Sequence, residues 1–162
     1  MTGVVWNSAF DLLMKVEGGY VDNPNDKGGK TKYGISQKSY PFIDIASLTI
    51  DKAKEIYKKD YWDRCKCDFL PDALSVAVFD FAVNSGVKTS IKVLQQALGV
   101  KADGIIGNQT IGAANRLPLR KVLDDFMWRR LLYLIKLKDF KYFGGGWTSR
   151  VDTIRKFCEN LI

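Results

Sequence analysis

The chain has no histidine among its 162 residues. Without an imidazole it cannot build a Ser-His-Asp or Cys-His catalytic arrangement, nor the usual zinc centres that contain histidine. Any hydrolytic chemistry must therefore rest on carboxylates, hydroxyls, lysine, tyrosine or a bound metal.

Cysteine is scarce, and long apolar runs are missing. The three cysteines, Cys65, Cys67 and Cys158, are odd in number and lack a tetrahedral metal pattern, so we expect reduced, structural thiols. Residues 1–16 carry no basic residue ahead of their apolar stretch and no small-residue cleavage site, which predicts no secretory signal. No apolar run reaches the length of a transmembrane helix, so no stable membrane insertion is expected.

The chain does have enough apolar material for one domain, because 46% of its residues are hydrophobic. Its formal charge of +7 predicts a polyanionic partner. Nucleic acid, an anionic membrane surface and an acidic cell-wall polymer all fit this charge, which alone does not choose among them.

The N-terminal segment reads as an amphipathic helix that begins near Ser8, where Asp11 completes a capping pattern. Its apolar stripe ends in a carboxylate and consists of Phe10, Leu13, Met14 and Glu17. A carboxyl group on the apolar side of a helix end is partly removed from water, which raises its pKa. Glu17 therefore has the environment of a general acid.

The rest of the chain predicts a mainly α fold, a helical bundle around one central buried helix. Residues 22–36 indicate turns and one small β-hairpin, and residues 74–83 are apolar on all sides, as expected for the central helix. Gly144–Gly146 is expected to interrupt the chain. Other helices are predicted from Thr49 to about Trp62, Ser90 to Leu98, about Gln109 to Arg116, and Pro118 to about Asp139. A last helix is predicted from the stripe of Val151, Ile154, Cys158 and Leu161.

Cleavage of a glycosidic bond needs a protonated acid and usually a second group that handles water or stabilises positive charge. Glu17 suits the first role, and Asp26, nine residues later, is the best-placed candidate for the second. Thr31 could hydrogen-bond a water molecule, while Tyr20 and Tyr33 could stack on sugar rings. A turn aspartate is often only a turn residue, so that interpretation of Asp26 stays open.

Further polar and aromatic residues are candidates for substrate contact. Asn84 ends the central helix and has an amide suited to N-acetyl or hydroxyl groups. Asp80, one turn earlier, is a candidate either for capping neighbouring backbone or for catalysis. Trp62, Trp128 and Trp147 could form sugar platforms, although large aromatic residues lie more often in the core.

Residues 17–36, EGGYVDNPNDKGGKTKYGIS, resemble the signature of glycoside hydrolase family 108. That family comprises phage endolysins and related bacterial N-acetylmuramidases. Residues 79–86, 94–100, 102–107 and 146–151 resemble the family's C-terminal region. Together these segments are spread over residues 17–151, which is most of the length of the chain.

The resemblance implies an α+β lysozyme-like fold and cleavage of the β-1,4 bond between N-acetylmuramic acid and N-acetylglucosamine. Glu17 matches the family's proposed acid, with no metal or organic cofactor. The order of Glu, Asp and Thr is also similar to that of phage lysozymes, but the step from Asp26 to Thr31 is one residue shorter, which makes both secondary candidates. Within a single domain, 1–162, residues 1–86 would form the catalytic lobe and 87–162 a helical lobe resembling a peptidoglycan-binding region.

The resemblance also implies a biological setting. A monomeric endolysin would be made in the host cytoplasm and reach the glycan strands of peptidoglycan after a separate protein permeabilises the membrane. A lytic transglycosylase and a non-catalytic wall-binding or secretion-assisting protein remain as alternatives. Binding of nucleic acid explains the charge but not the carboxylate motif, so no specific nucleic acid is expected.

Overall fold

The computed structural model describes residues 2–16, 21–22 and 29–162, and within them the chain is mainly α, as predicted. The helices are α1 (Thr2–Val16), α2 (Ile50–Tyr57), α3 (Asp72–Ser85), α4 (Val87–Leu98), α5 (Asn108–Arg116), α6 (Leu119–Ile135) and α7 (Phe140–Glu159). The strands are β1 (Val21–Asp22), β2 (Lys30–Lys32) and β3 (Ile35–Ser36). None of the helices in the described ranges is long and apolar enough to span a bilayer.

Helix α3 is the central buried helix that the sequence predicts. Every residue from Ala73 to Ala82 is buried, and the helix packs against α1, α4, α6 and α7. One hydrophobic cluster takes members from both 1–86 and 87–162. The two segments therefore share a core, while their division into catalytic and wall-binding roles stays a prediction.

Helix α1 begins at Thr2, six residues before the expected start, so the prediction of a cap at Ser8 is wrong. The helix starts earlier because the residues before Ser8 pack against the rest of the protein. The ring of Trp6 is buried, with its centre 5.2 Å from that of Trp62 and 5.3 Å from that of Phe79. Burying so large an aromatic side chain stabilises the extra helical turns.

The predicted hairpin is confirmed and consists of β2 and β3, with a third strand, β1, on the other side of β2. The turn between β2 and β3 is formed by Tyr33 and Gly34, which have φ angles of 53° and 78°. Two successive positive φ angles are typical of the type I′ turn, whose twist matches that of an antiparallel pair.

The prediction that the glycine run interrupts the helical structure is wrong, because α7 continues through all three glycines. Tertiary packing explains the first glycine: a Cβ at Gly144 would lie 2.8 Å from the ring of Phe140. That ring packs on Trp147, with ring centres 6.2 Å apart. A Cβ at Gly145 or Gly146 would meet nothing within 4 Å.

We expect Gly145→Ala and Gly146→Ala each to raise the free energy of unfolding by about 0.5–1 kcal/mol, because alanine loses less backbone entropy in a helix. Gly144→Ala, the matched control, should give no gain, since its methyl group would displace the Phe140 ring. Urea denaturation measures all three variants. Equal stabilisation by the three substitutions would contradict this packing role for Gly144.

The three cysteines are free, as the sequence predicts, and all three are buried. Burial raises the pKa of the Cys158 thiol to about 12 and that of Cys67 well above its ordinary value, which favours the unreactive protonated form. In the described part of the chain, no three acidic or thiol side chains are grouped so as to hold a metal ion.

Candidate active site

Three of the six predicted site residues belong to the described part of the chain: Thr31, Tyr33 and Asn84. Glu17, Tyr20 and Asp26 lie outside it. The pairing of Glu17 as acid with Asp26 as second group therefore stays a prediction. The described residues define the surroundings in which these two side chains would act.

Thr31 is the middle residue of β2 and is half-buried. Its backbone pairs with Val21 on one side and Ser36 on the other. Its hydroxyl donates to the carbonyl oxygen of Gly29 at 3.5 Å, a distance at the limit of a hydrogen bond. The backbone of Thr31 is thus firmly held, while among the described residues its hydroxyl forms only this long contact.

Tyr33 connects the hairpin to the helical part of the molecule. Its carbonyl oxygen accepts a hydrogen bond of 2.7 Å from the hydroxyl of Tyr57, a buried residue of α2. Its half-buried ring packs against the core, and the ammonium of Lys32 lies 5.5 Å from the ring centre. These contacts give Tyr33 a structural role and leave stacking on a sugar as a prediction.

Asn84 lies in the last turn of α3 and is half-buried. Its Oδ1 accepts a hydrogen bond of 3.0 Å from the hydroxyl of Ser85. Among the described residues its amide nitrogen has no hydrogen-bond partner, so it can donate to a ligand oxygen. The helix ends directly afterwards at Gly86, whose φ angle of 103° suits glycine.

Asp80, one turn before Asn84, is held by two arginines. Its Oδ2 lies 2.8 Å from Nη2 of Arg130, on α6, and its Oδ1 lies 3.0 Å from Nη2 of Arg150, on α7. Nε of Arg150 also donates to Oδ2 at 3.2 Å. Asp80 therefore connects three helices through ion pairs, which is a structural role but not the predicted backbone cap.

The guanidinium of Arg130 is completely buried, and its central carbon lies 5.0 Å from the ring centre of Phe81. Burial lowers its pKa, because the charged form loses hydration, while the nearby charge of Asp80 acts in the opposite direction. The contact with Asp80 is close but poorly aligned, and within the described residues no nitrogen of Arg130 forms a well-oriented hydrogen bond. The carboxylate of Asp80 therefore compensates the buried positive charge of Arg130.

Asp80→Asn should lower the free energy of unfolding by about 3–5 kcal/mol, because it leaves buried guanidinium charge without its carboxylate. Urea denaturation at neutral pH measures the change. The matched control is Asp152→Asn, which removes a carboxylate from exposed pairs with Arg155 and Lys156. The control should change stability little, and equal effects of the two substitutions would contradict the assigned role of Asp80.

The three tryptophans that were candidates for sugar platforms have different environments. Trp62 is only 1% exposed and donates from Nε1 to Asp68 at 2.8 Å, so of its two interpretations the core position is confirmed and the sugar platform is excluded. Trp147 is half-buried between Phe140 and Phe143. Trp128 is 58% exposed and remains available to a ligand.

The whole architecture has a close counterpart among solved structures. The chain matches SagA of Brucella abortus with a TM-score of 0.87 and 34% sequence identity, and the alignment covers 96% of this chain and 94% of that one. The fold is accordingly α+β and lysozyme-like, which places the protein among the lysozyme-like peptidoglycan hydrolases.

Residues 10–86 match the family model described as Glycosyl hydrolase 108. The chain belongs to glycoside hydrolase family 108. No curated protein sequence matches it. The matched segment contains all six predicted site residues, whereas both arginines that bind Asp80 lie beyond it.

Proposed function

We propose that the protein is a muramidase that cleaves the β-1,4 bond between N-acetylmuramic acid and N-acetylglucosamine, with Glu17 as general acid. The family match over residues 10–86 carries this proposal, because that segment includes Glu17. The absence of histidine supports it, since acid–base catalysis must then use a carboxylate or another remaining group.

In this mechanism the protonated carboxyl group of Glu17 donates its proton to the glycosidic oxygen. The bond from that oxygen to C1 of the muramic acid breaks, and positive charge develops at the ring. Water then adds to C1 and loses a proton to a base, which leaves a reducing end. Asp26 is the candidate for stabilising the charge or accepting the proton.

Two described residues would assist at the substrate. Thr31 has a weakly held hydroxyl that could orient the attacking water. Asn84 has an amide nitrogen without a partner among the described residues, which suits the carbonyl oxygen of an N-acetyl group.

Glu17→Gln should lower the rate of clearing of purified cell walls by at least about a hundredfold, because an amide cannot supply the proton. The matched control is Asp11→Asn, which changes an exposed carboxylate on α1 and should keep wild-type activity. Circular dichroism checks that both variants fold. Wild-type clearing by folded Glu17→Gln would refute the assignment.

Two further sets of variants identify the group that assists Glu17. Thr31→Val removes the hydroxyl and keeps the side-chain shape, whereas Thr31→Ser keeps the hydroxyl. A lower kcat in Thr31→Val but not in Thr31→Ser would support the positioning of water by the hydroxyl of Thr31. Full activity of Asp26→Asn would show that neutral groups position the water.

A lytic transglycosylase is the second candidate, because it too needs a single acid in a lysozyme-like fold. We expect mass spectrometry of the products to show reducing muramic acid ends, 18 Da heavier than the 1,6-anhydro ends of a transglycosylase. Predominantly anhydro products would refute hydrolysis while leaving Glu17 as the acid. Retention on insoluble peptidoglycan without release of any sugar would favour a non-catalytic wall-binding protein.

The proposed biological role is host lysis by a phage endolysin. The net charge of +7 would favour contact with anionic envelope material. Lysis of cells from inside only after their membrane is permeabilised would support this role, and lysis that needs no permeabilisation would argue against dependence on a separate membrane-opening protein.

A further inference from the structure

The corner where α6 meets α7 exposes an unusual amount of apolar surface. Leu132 and Ile135 on α6 are 37% and 47% exposed, and Tyr142 and Phe143 on α7 are 71% and 57% exposed. These four residues form what we call the apolar corner. Exposed apolar side chains concentrated at two adjoining helix ends commonly mark an interaction site.

Basic side chains surround the apolar corner. Lys136, Lys138 and Lys141 are exposed, and within the described residues none of them forms an ion pair. The ammonium of Lys141 lies 5.0 Å from the ring centre of Tyr142. Asp139 is the single acidic residue between Arg130 and Arg150 in the sequence, so the corner has a net positive charge.

The apolar corner is built into the fold. The connection between the two helices spans only residues 136–139, which keeps both helix ends together. The ring centre of Phe143 lies 6.5 Å from that of Tyr142 and 5.9 Å from that of the half-buried Trp147. Phe143 is therefore anchored on the protein while more than half of it faces solvent.

The chemistry of this surface argues against a sugar ligand. Residues 132–143, LYLIKLKDFKYF, contain no Ser, Thr, Asn or Gln, the neutral side chains that would bind hydroxyl and acetamido groups. Thr89 and Gln96 of α4 share a cavity with Leu132 and Lys136, but no such group belongs to the segment that carries the exposed rings of Tyr142 and Phe143. An anionic polymer would satisfy the lysines but leave the four apolar side chains in water. Only a partner with both negative charge and an apolar layer matches both features.

We propose that the apolar corner binds the surface of an anionic phospholipid bilayer. The ammonium groups would lie at the level of the lipid phosphates, and the aromatic and aliphatic side chains would enter the interface below them. The interaction is peripheral and reversible. It is independent of Glu17 and would hold the enzyme at the membrane that adjoins its substrate.

The test uses the full-length protein and vesicles of phosphatidylglycerol with phosphatidylcholine, compared with vesicles of phosphatidylcholine alone. Co-sedimentation should detect binding to the anionic vesicles only. Combined Lys136→Glu, Lys138→Glu and Lys141→Glu should weaken it by about a hundredfold, given the usual contribution of each lysine near a charged membrane. Combined Ile135→Ser and Tyr142→Ser should weaken it by about tenfold or more, since their apolar side chains no longer enter the interface.

Matched controls alter charge and aromatic exposure elsewhere. Lys38→Glu, Lys59→Glu and Lys101→Glu together make the same change of net charge at other exposed sites, and Phe42→Ser removes a fully exposed aromatic residue. Both controls should bind vesicles nearly as the wild type does, and every variant should keep its helical circular dichroism. The two lysine triples lower the net charge equally, so they should clear purified walls at equal rates.

Two results would overturn the proposal. Equal weakening by the two lysine triples would show that net charge, not the corner, controls binding. The second result is unchanged vesicle binding by the Ile135→Ser and Tyr142→Ser variant together with lysine-dependent binding of the protein to soluble polyglycerol phosphate. It would identify the corner as a site for anionic polymers instead of lipid.

Discussion

The ion pairs of Asp80 with Arg130 and Arg150 are the constraint on which the arrangement of the helices depends. A carboxylate in the middle of an apolar helix is costly to bury unless cations meet it there, and here they come from two other helices. Asp80 belongs to the segment that defines the family, and both arginines lie outside it. The C-terminal helices therefore complete the structural unit of the enzyme.

This cluster shows which part of the fold the sequence can predict. Arg130 continues the apolar stripe of Val122, Leu123 and Phe126, and Asp80 interrupts an apolar helix, so each could be identified as a buried charge. Their pairing could not be predicted, because fifty residues separate them and helical periodicity carries no information on distant contacts. The predictions for the start of α1 and for Gly144 are wrong for the same reason: the packing of Trp6 and Phe140 outweighs local capping and propensity signals.

The candidate site likewise combines features that the sequence predicts with features that depend on contacts between distant residues. Residue chemistry and spacing were enough to select Glu17 and Asp26 as candidate carboxylates, and the hairpin containing Thr31 was predicted correctly. The attachment of that hairpin to α2 through the hydroxyl of Tyr57 depends on a contact across 24 residues. The burial of Trp62 likewise depends on the rings of Trp6 and Phe79 and on Asp68, none of which a composition argument includes.

The positive charge illustrates how structure narrows an interpretation that composition leaves open. A net charge of +7 is compatible with nucleic acid, an acidic polymer or a membrane, because each is polyanionic. The exposed neighbours of the charges distinguish these partners. Nucleic acid and wall polymers need polar groups beside the cations, whereas a bilayer accepts apolar side chains directly below them. At the junction of α6 and α7 the lysines flank Ile135, Tyr142 and Phe143, and this arrangement, more than the total charge, favours lipid as the partner of that surface.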